Sequence, residues 1–171
     1  TILIGNNSCA QAFEVQPDGV TIGGSLNGAV TEICTATTDK DVWYYFTPSC
    51  TNTYTLILSG LPDDKDLAIY QGTCPTTCAA GLYSSTNSAA TSETITNTFT
   101  SGVPYYVRIN DYAITGGTFS LTLTGPVLPT ITRHPVNVTE PVGGSVAFYA
   151  ACTSTNAIQW EVSTNSGLTW T

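Results

Sequence analysis

The sequence predicts an all-β chain, built as an antiparallel β-sandwich. Three observations predict it. Apolar and polar residues alternate over short runs, with no sustained helical spacing. Thr, a β-branched residue that favours strands, occurs 31 times in 171 residues. Gly and Pro separate the runs at the short intervals typical of a sandwich.

Taken in order, Ala10 to Val15 reads as a short turn after Cys9, and no helix is predicted elsewhere. Val42-Trp43-Tyr44-Tyr45-Phe46 is aromatic and β-branched, and reads as a strand with large side chains on both faces. Trp43 is expected in the core. Thr53 to Leu58 alternates and then runs continuously apolar, and Asp66 to Tyr70 follows the turn-rich Leu61-Pro62-Asp63-Asp64. Glu93 to Thr100 alternates Thr with Ile95, Asn97 and Phe99. Tyr105 to Ile109 and Phe119 to Leu123 alternate likewise. Turn signals lie between these runs at Ser59-Gly60, Gln71-Gly72, Ser101-Gly102 and Gly116-Gly117.

Gly125-Pro126-Val127-Leu128-Pro129 interrupts the pattern as a stiff extended linker. The expected organisation is therefore a sandwich over 1–125, a Pro-rich linker over 126–130 and a second unit over 131–171. That second stretch is shorter than a sandwich of ~100 residues. It reads as the first part of a domain, completed by other sequence or by another chain. Trp160 is expected in its core. Thr1 opens the chain without a basic region leading into an apolar run, so no signal peptide is read and the chain looks like a mature or excised piece.

Charge is scarce. Lys and Arg total 4 against 12 Asp and Glu, giving a net charge of −8, and 9% of residues are charged where roughly 25% is usual. Four basic residues are too few to neutralise a phosphate backbone, which excludes nucleic acid as a partner. The same shortage argues against anionic lipid. No run approaches the ~18 apolar residues of a spanning helix, so no membrane insertion is expected. His134 is the single His, which excludes sites built on several imidazoles. The chain is read as non-catalytic.

The six cysteines are Cys9, Cys34, Cys50, Cys74, Cys78 and Cys152. Low charge and cysteines without metal-type pairing point to an oxidising, extracellular or cell-surface compartment. Fifteen connectivities are possible. Cys74–Cys78 could close a small loop, and Cys9–Cys34 and Cys34–Cys50 are rival long-range pairs. Aromatics are the better binding candidates. On the strand 105–109, Tyr105, Val107 and Ile109 share the core face, leaving Tyr106 and Arg108 outward with Tyr112 in the next turn. Such a surface stacks on sugar rings or grips a peptide. Asp39 and Asp41 share one side at a strand start, where oxygen ligands suit Ca2+. Asp63, Asp64 and Asp66 read as a turn.

Residues 5–125 carry a pattern that resembles bacterial pre-peptidase C-terminal domains. It comprises Asn6-Asn7-Ser8-Cys9-Ala10-Gln11-Ala12, then Asp39-Lys40-Asp41-Val42-Trp43-Tyr44-Tyr45-Phe46. Leu56 to Gly60 with Asp66 to Tyr70, Gly72-Thr73-Cys74, Ser101-Gly102 with Tyr105 to Ile109, and Gly117 to Leu123 complete it. The Gly-Thr-Cys version looks like those in secreted or surface proteins of Bacteroidetes-type bacteria. Pro135 to Thr171 resembles the first half of a bacterial immunoglobulin-like domain, on Gly143-Gly144-Ser145-Val146 and Ile158-Gln159-Trp160-Glu161-Val162.

The resemblance implies a jelly-roll-like β-sandwich followed by a partial immunoglobulin-like β-sandwich. It implies a non-catalytic accessory or adhesion module that binds polysaccharide or matrix protein. The alternatives are a spacer or fibre subunit that contacts neighbouring copies of itself, and a fragment of a secreted hydrolase. By position it also implies Asn7 as a Ca2+ ligand beside Asp39 and Asp41.

Overall fold

A computed structural model describes residues 5–32, 40–77, 80–86, 92–112, 115–153 and 159–171. The chain divides into two compact units, 1–126 and 127–171.

The first unit is an all-β sandwich. Its five-stranded sheet contains β1 (Phe13–Glu14), β3 (Lys40–Phe46), β8 (Tyr105–Asp111), β5 (Lys65–Gln71) and β6 (Tyr83–Ser85), in the order β1-β3-β8-β5-β6. Its four-stranded sheet contains β2 (Asp18–Ser25), β9 (Thr118–Thr124), β4 (Asn52–Ser59) and β7 (Ser92–Phe99), in the order β2-β9-β4-β7. All pairings are antiparallel except β1 on β3. The period-2 runs form the strands because each presents one apolar row to the opposite sheet. From the five-stranded sheet these rows are Val42, Tyr44 and Phe46; Tyr105, Val107 and Ile109; and Leu67 with Ile69. From the other they are Tyr54, Leu56 and Leu58; Ile95 with Phe99; and Phe119, Leu121 and Leu123.

Aromatic rings lock one end of this core. Phe46 stands 5.2 Å from Phe99 and 5.5 Å from Tyr105 between ring centroids, and Phe99 lies 4.7 Å from Tyr105. Phe99 meets both rings edge-on while Phe46 stacks on Tyr105, and aromatic pairs of these kinds add about 0.5–1.5 kcal/mol each beyond area burial. Gly24 is required where β2 crosses the core. A Cβ there would stand 2.2 Å from Phe119 Cζ and 2.6 Å from Tyr44 Oη. Gly60, Gly72, Gly102 and Gly116 take positive φ at the turns, which a side chain would strain.

The two outer faces differ. That of the four-stranded sheet is a lattice of hydroxyls: Thr21 Oγ1 lies 2.7 Å from Thr122 Oγ1, and Thr55 Oγ1 lies 3.0 Å from Thr96 Oγ1. That of the five-stranded sheet is covered in part by the N-terminal segment. Cys9–Gln11 forms one 3-10 turn, shorter than the expected turn over Ala10 to Val15, because Phe13–Glu14 is drawn into β1, which pairs parallel to β3 with Phe13 opposite Tyr44. Among the described strands β7 is an edge strand, and its Glu93 points inward, buried, accepting a hydrogen bond from Ser85 Oγ.

In the second unit, β10 (Ile131–Arg133) pairs antiparallel with β11 (Ala151–Cys152), placing Ile131 opposite Cys152. Trp160 is not core: it is 53% exposed and rests 6.4 Å from Phe148. The described part of this unit has one two-stranded sheet and no second layer to face it, so the ring has no interior to enter.

Candidate functional site

The outer face of the five-stranded sheet is set by strand register. Asp41, Trp43 and Tyr45 of β3 lie opposite Asn110, Arg108 and Tyr106 of β8, which in turn lie opposite Asp66, Ala68 and Tyr70 of β5. One end of this face is therefore polar and the other aromatic.

At the centre, Trp43 is fully buried and packs on Tyr70 at 5.7 Å. The N-terminal segment lies over it. Trp43 N–H donates to Asn6 O at 2.8 Å, and Asn6 Nδ2 donates to Trp43 O at 2.9 Å. A disulfide between Cys9 and Cys74 staples the cover to the chain just after β5. This corrects the expected pairings: Cys9 joins Cys74, so neither Cys9–Cys34 nor a Cys74–Cys78 loop forms. The physical reason is that the 3-10 turn lies across the sheet and brings Cys9 beside the β5 end. Cys50 keeps its thiol, 3.8 Å from Tyr54 Oη. Cys34 and Cys78 lie outside the described residues.

The same cover overturns the expected surface role of Arg108. Its residue is 8% exposed and its guanidinium is held by Asp41, with Nε 2.9 Å and Nη2 2.8 Å from Oδ2. Asp41 is fully buried. Burial pushes its carboxyl above the ordinary carboxylate range, against the opposing pull of Arg108. Tyr70 is likewise raised by burial, again opposed by Arg108. Arg108 is thus a neutralising partner under the cover, while Tyr112 is 65% exposed beyond the strand end.

Tyr106 is half-buried, and Tyr45, which sequence reasoning passed over, stands beside it with ring centroids 6.2 Å apart and planes tilted by 37°. These two rings and Cys9, Ala10 and Ala12 line a shallow cleft of about 130 Å³. The signal for Tyr45 was its phase: it shares a face with Trp43, and the register pairs it with Tyr106. The structure therefore brings Tyr45 to Tyr106 and leaves Arg108 and Tyr112 out of the cleft.

The polar end bears on calcium. Asn7 Oδ1, Asp41 Oδ1 and Asn110 Oδ1 are buried acceptors without a hydrogen-bond partner. Ca2+ takes six to eight oxygens. The one carboxylate among these three is already paired with Arg108, and the described residues contain no group of three or more His, Cys, Asp or Glu suited to a metal. Asp39, the other expected ligand, lies outside the described residues.

Comparison with known protein families finds no match, and no curated protein matches the chain. Among solved structures, the chain is similar to the pre-peptidase C-terminal domain of a collagenase from Bacillus anthracis. The identity is 14% and the TM-score 0.47, over 66% of this chain and 94% of that one. No helix among the described residues is long and apolar enough to cross a membrane.

Proposed function

We propose that this chain is a non-catalytic extracellular module of a larger secreted or cell-surface protein, of the pre-peptidase C-terminal type. Its task is adhesion or substrate targeting through an aromatic cleft. The observation that carries this reading is the Tyr45–Tyr106 pair, partly exposed at a cleft whose wall is fixed by the Cys9–Cys74 disulfide. Two tilted rings on a rigid strand pair offer apolar faces with hydroxyl tips. That suits a sugar ring of a polysaccharide, or a flat side chain of a matrix protein. The disulfide supports an oxidising compartment. The buried carboxylates support a non-catalytic role, because Asp41 and Asp111 face cations of this chain and Glu93 faces Ser85. The test is a glycan and matrix-protein array followed by titration calorimetry. Binding that disappears in the double variant Tyr45→Ala/Tyr106→Ala, with folding unchanged, supports the cleft. No binding by the folded wild type, or binding that survives the double variant, overturns it.

A second reading, a spacer that joins other copies or other sequence, is supported by unit 127–171. Phe148, Trp160 and Val162 stand exposed there around a cleft of about 440 Å³. Monomeric domains rarely leave such clusters open. Concentration-dependent association measured by analytical ultracentrifugation, lost in Trp160→Ser, would favour this reading over the first.

A further inference from the structure

A third cluster lies on the core face of the five-stranded sheet, away from the aromatic cleft. Lys65 begins β5 in phase with Leu67 and Ile69, and Asp111 ends β8 in phase with Val107 and Ile109. The two are direct register partners. Lys65 is 1% exposed and Asp111 not at all, and Lys65 Nζ lies 2.8 Å from Asp111 Oδ1. Gly116 N–H donates to Asp111 Oδ2. Asp63 accepts hydrogen bonds from Lys65 Nζ and from Thr115 Oγ1, and Thr115 Oγ1 lies 3.3 Å from Nζ.

We propose that Lys65 and Asp111 join in an isopeptide bond, a covalent cross-link between β5 and β8. Each requirement of amide formation has a named group here. Lys65 and Asp111 are both withdrawn from water at the end of an apolar core and held in contact. Transfer of one proton from Nζ to the Asp111 carboxyl gives a neutral amine touching a carboxylic acid. A desolvated lysine is an activated nucleophile, and fixed contact replaces a bimolecular encounter. Nζ attacks Asp111 Cγ. The Gly116 N–H stabilises the charge that develops on one carboxyl oxygen. Asp63 takes a proton from Nζ and delivers it to the departing oxygen. The Nζ–Cγ bond forms, a Cγ–O bond breaks and one water leaves. No oxidant or cofactor is needed, because an ammonium and a carboxylate become an amide plus water.

The test is the intact mass of the full chain, reduced and denatured. The expected mass is one water below that of the sequence, and proteolysis should release a branched peptide joining the segments that hold Lys65 and Asp111. Lys65→Arg, with folding checked by circular dichroism, should return the chain to its full mass, and Asp63→Asn should leave much of it uncross-linked. A folded wild type of full sequence mass overturns the proposal. So does a missing water that maps elsewhere, such as a cyclised Asp18-Gly19. An Asp63→Asn chain that cross-links as completely as the wild type removes Asp63 from the mechanism.

Discussion

The two outer faces of the sandwich are made by the same strand arithmetic and end in opposite states. On the four-stranded sheet, outward positions are mostly Thr and Ser, with Ile57 among them, and the hydroxyls meet water and one another. On the five-stranded sheet, outward positions include Trp43, Tyr70, Asp41 and Arg108, and the N-terminal segment closes over them. The first face needs nothing further, since its hydroxyls stay hydrated. The second stands only while its cover is held, because a buried ion pair and a buried indole have no independent claim to burial. The energetic weight outside the main core therefore lies on one side of the molecule.

The largest test of this asymmetry removes the indole. Trp43→Ala should cost about 3–5 kcal/mol in urea unfolding, as aromatic truncations in cores do. A loss under about 1 kcal/mol would mean the cover does not bury the ring. Next comes the staple. Replacing Cys9 and Cys74 by Ala should cost about 2–4 kcal/mol, since the bridge closes a long loop; its sequence separation is 65. An unchanged melting midpoint would show that the segment stays in place without it.

A smaller effect follows from Asp41. Its folded pKa is raised above the ordinary 3.8 by burial. The folded chain therefore holds this proton more tightly than the unfolded chain does. The linked stability is fully present below pH 3.8 and is lost as pH rises through the folded value. Urea midpoints of wild type minus Asp41→Asn, followed from acid to neutral pH, should decline with rising pH; a difference that grows contradicts the raised value. On the other face the expected effect is the least. Thr96→Ala should stay within about 0.5 kcal/mol, and a clear loss there would mean that the hydroxyl lattice carries structural weight.

The strands were legible because period 2 is written in the residues. Tyr105, Val107 and Ile109 could be placed on the core face, and the all-β sandwich followed. What alternation cannot tell is whether the other face is wet. Arg108 read as outward, and it is outward from the sheet, yet the segment around Cys9 covers it. The disulfide was hidden for the same reason: Cys9 and Cys74 meet through a crossing that no local pattern records. Lys65 stood among three acidic residues that resemble a solvated turn, and only its register with Asp111 buries it. Tyr45 was in view, but its partner across the strand pair was needed to make a cleft of it.

One detail of the four-stranded sheet reaches beyond stability. Among the described strands, β7 is the outer one of its sheet, eight residues long and rich in Thr. A stranger pairing there would extend the sheet into an aggregate. Glu93 turns a carboxylate toward the interior of that strand and anchors it to Ser85 of β6. A slipped or extended ladder would have to carry that carboxylate into a neighbour's apolar face, so the edge resists fibril growth.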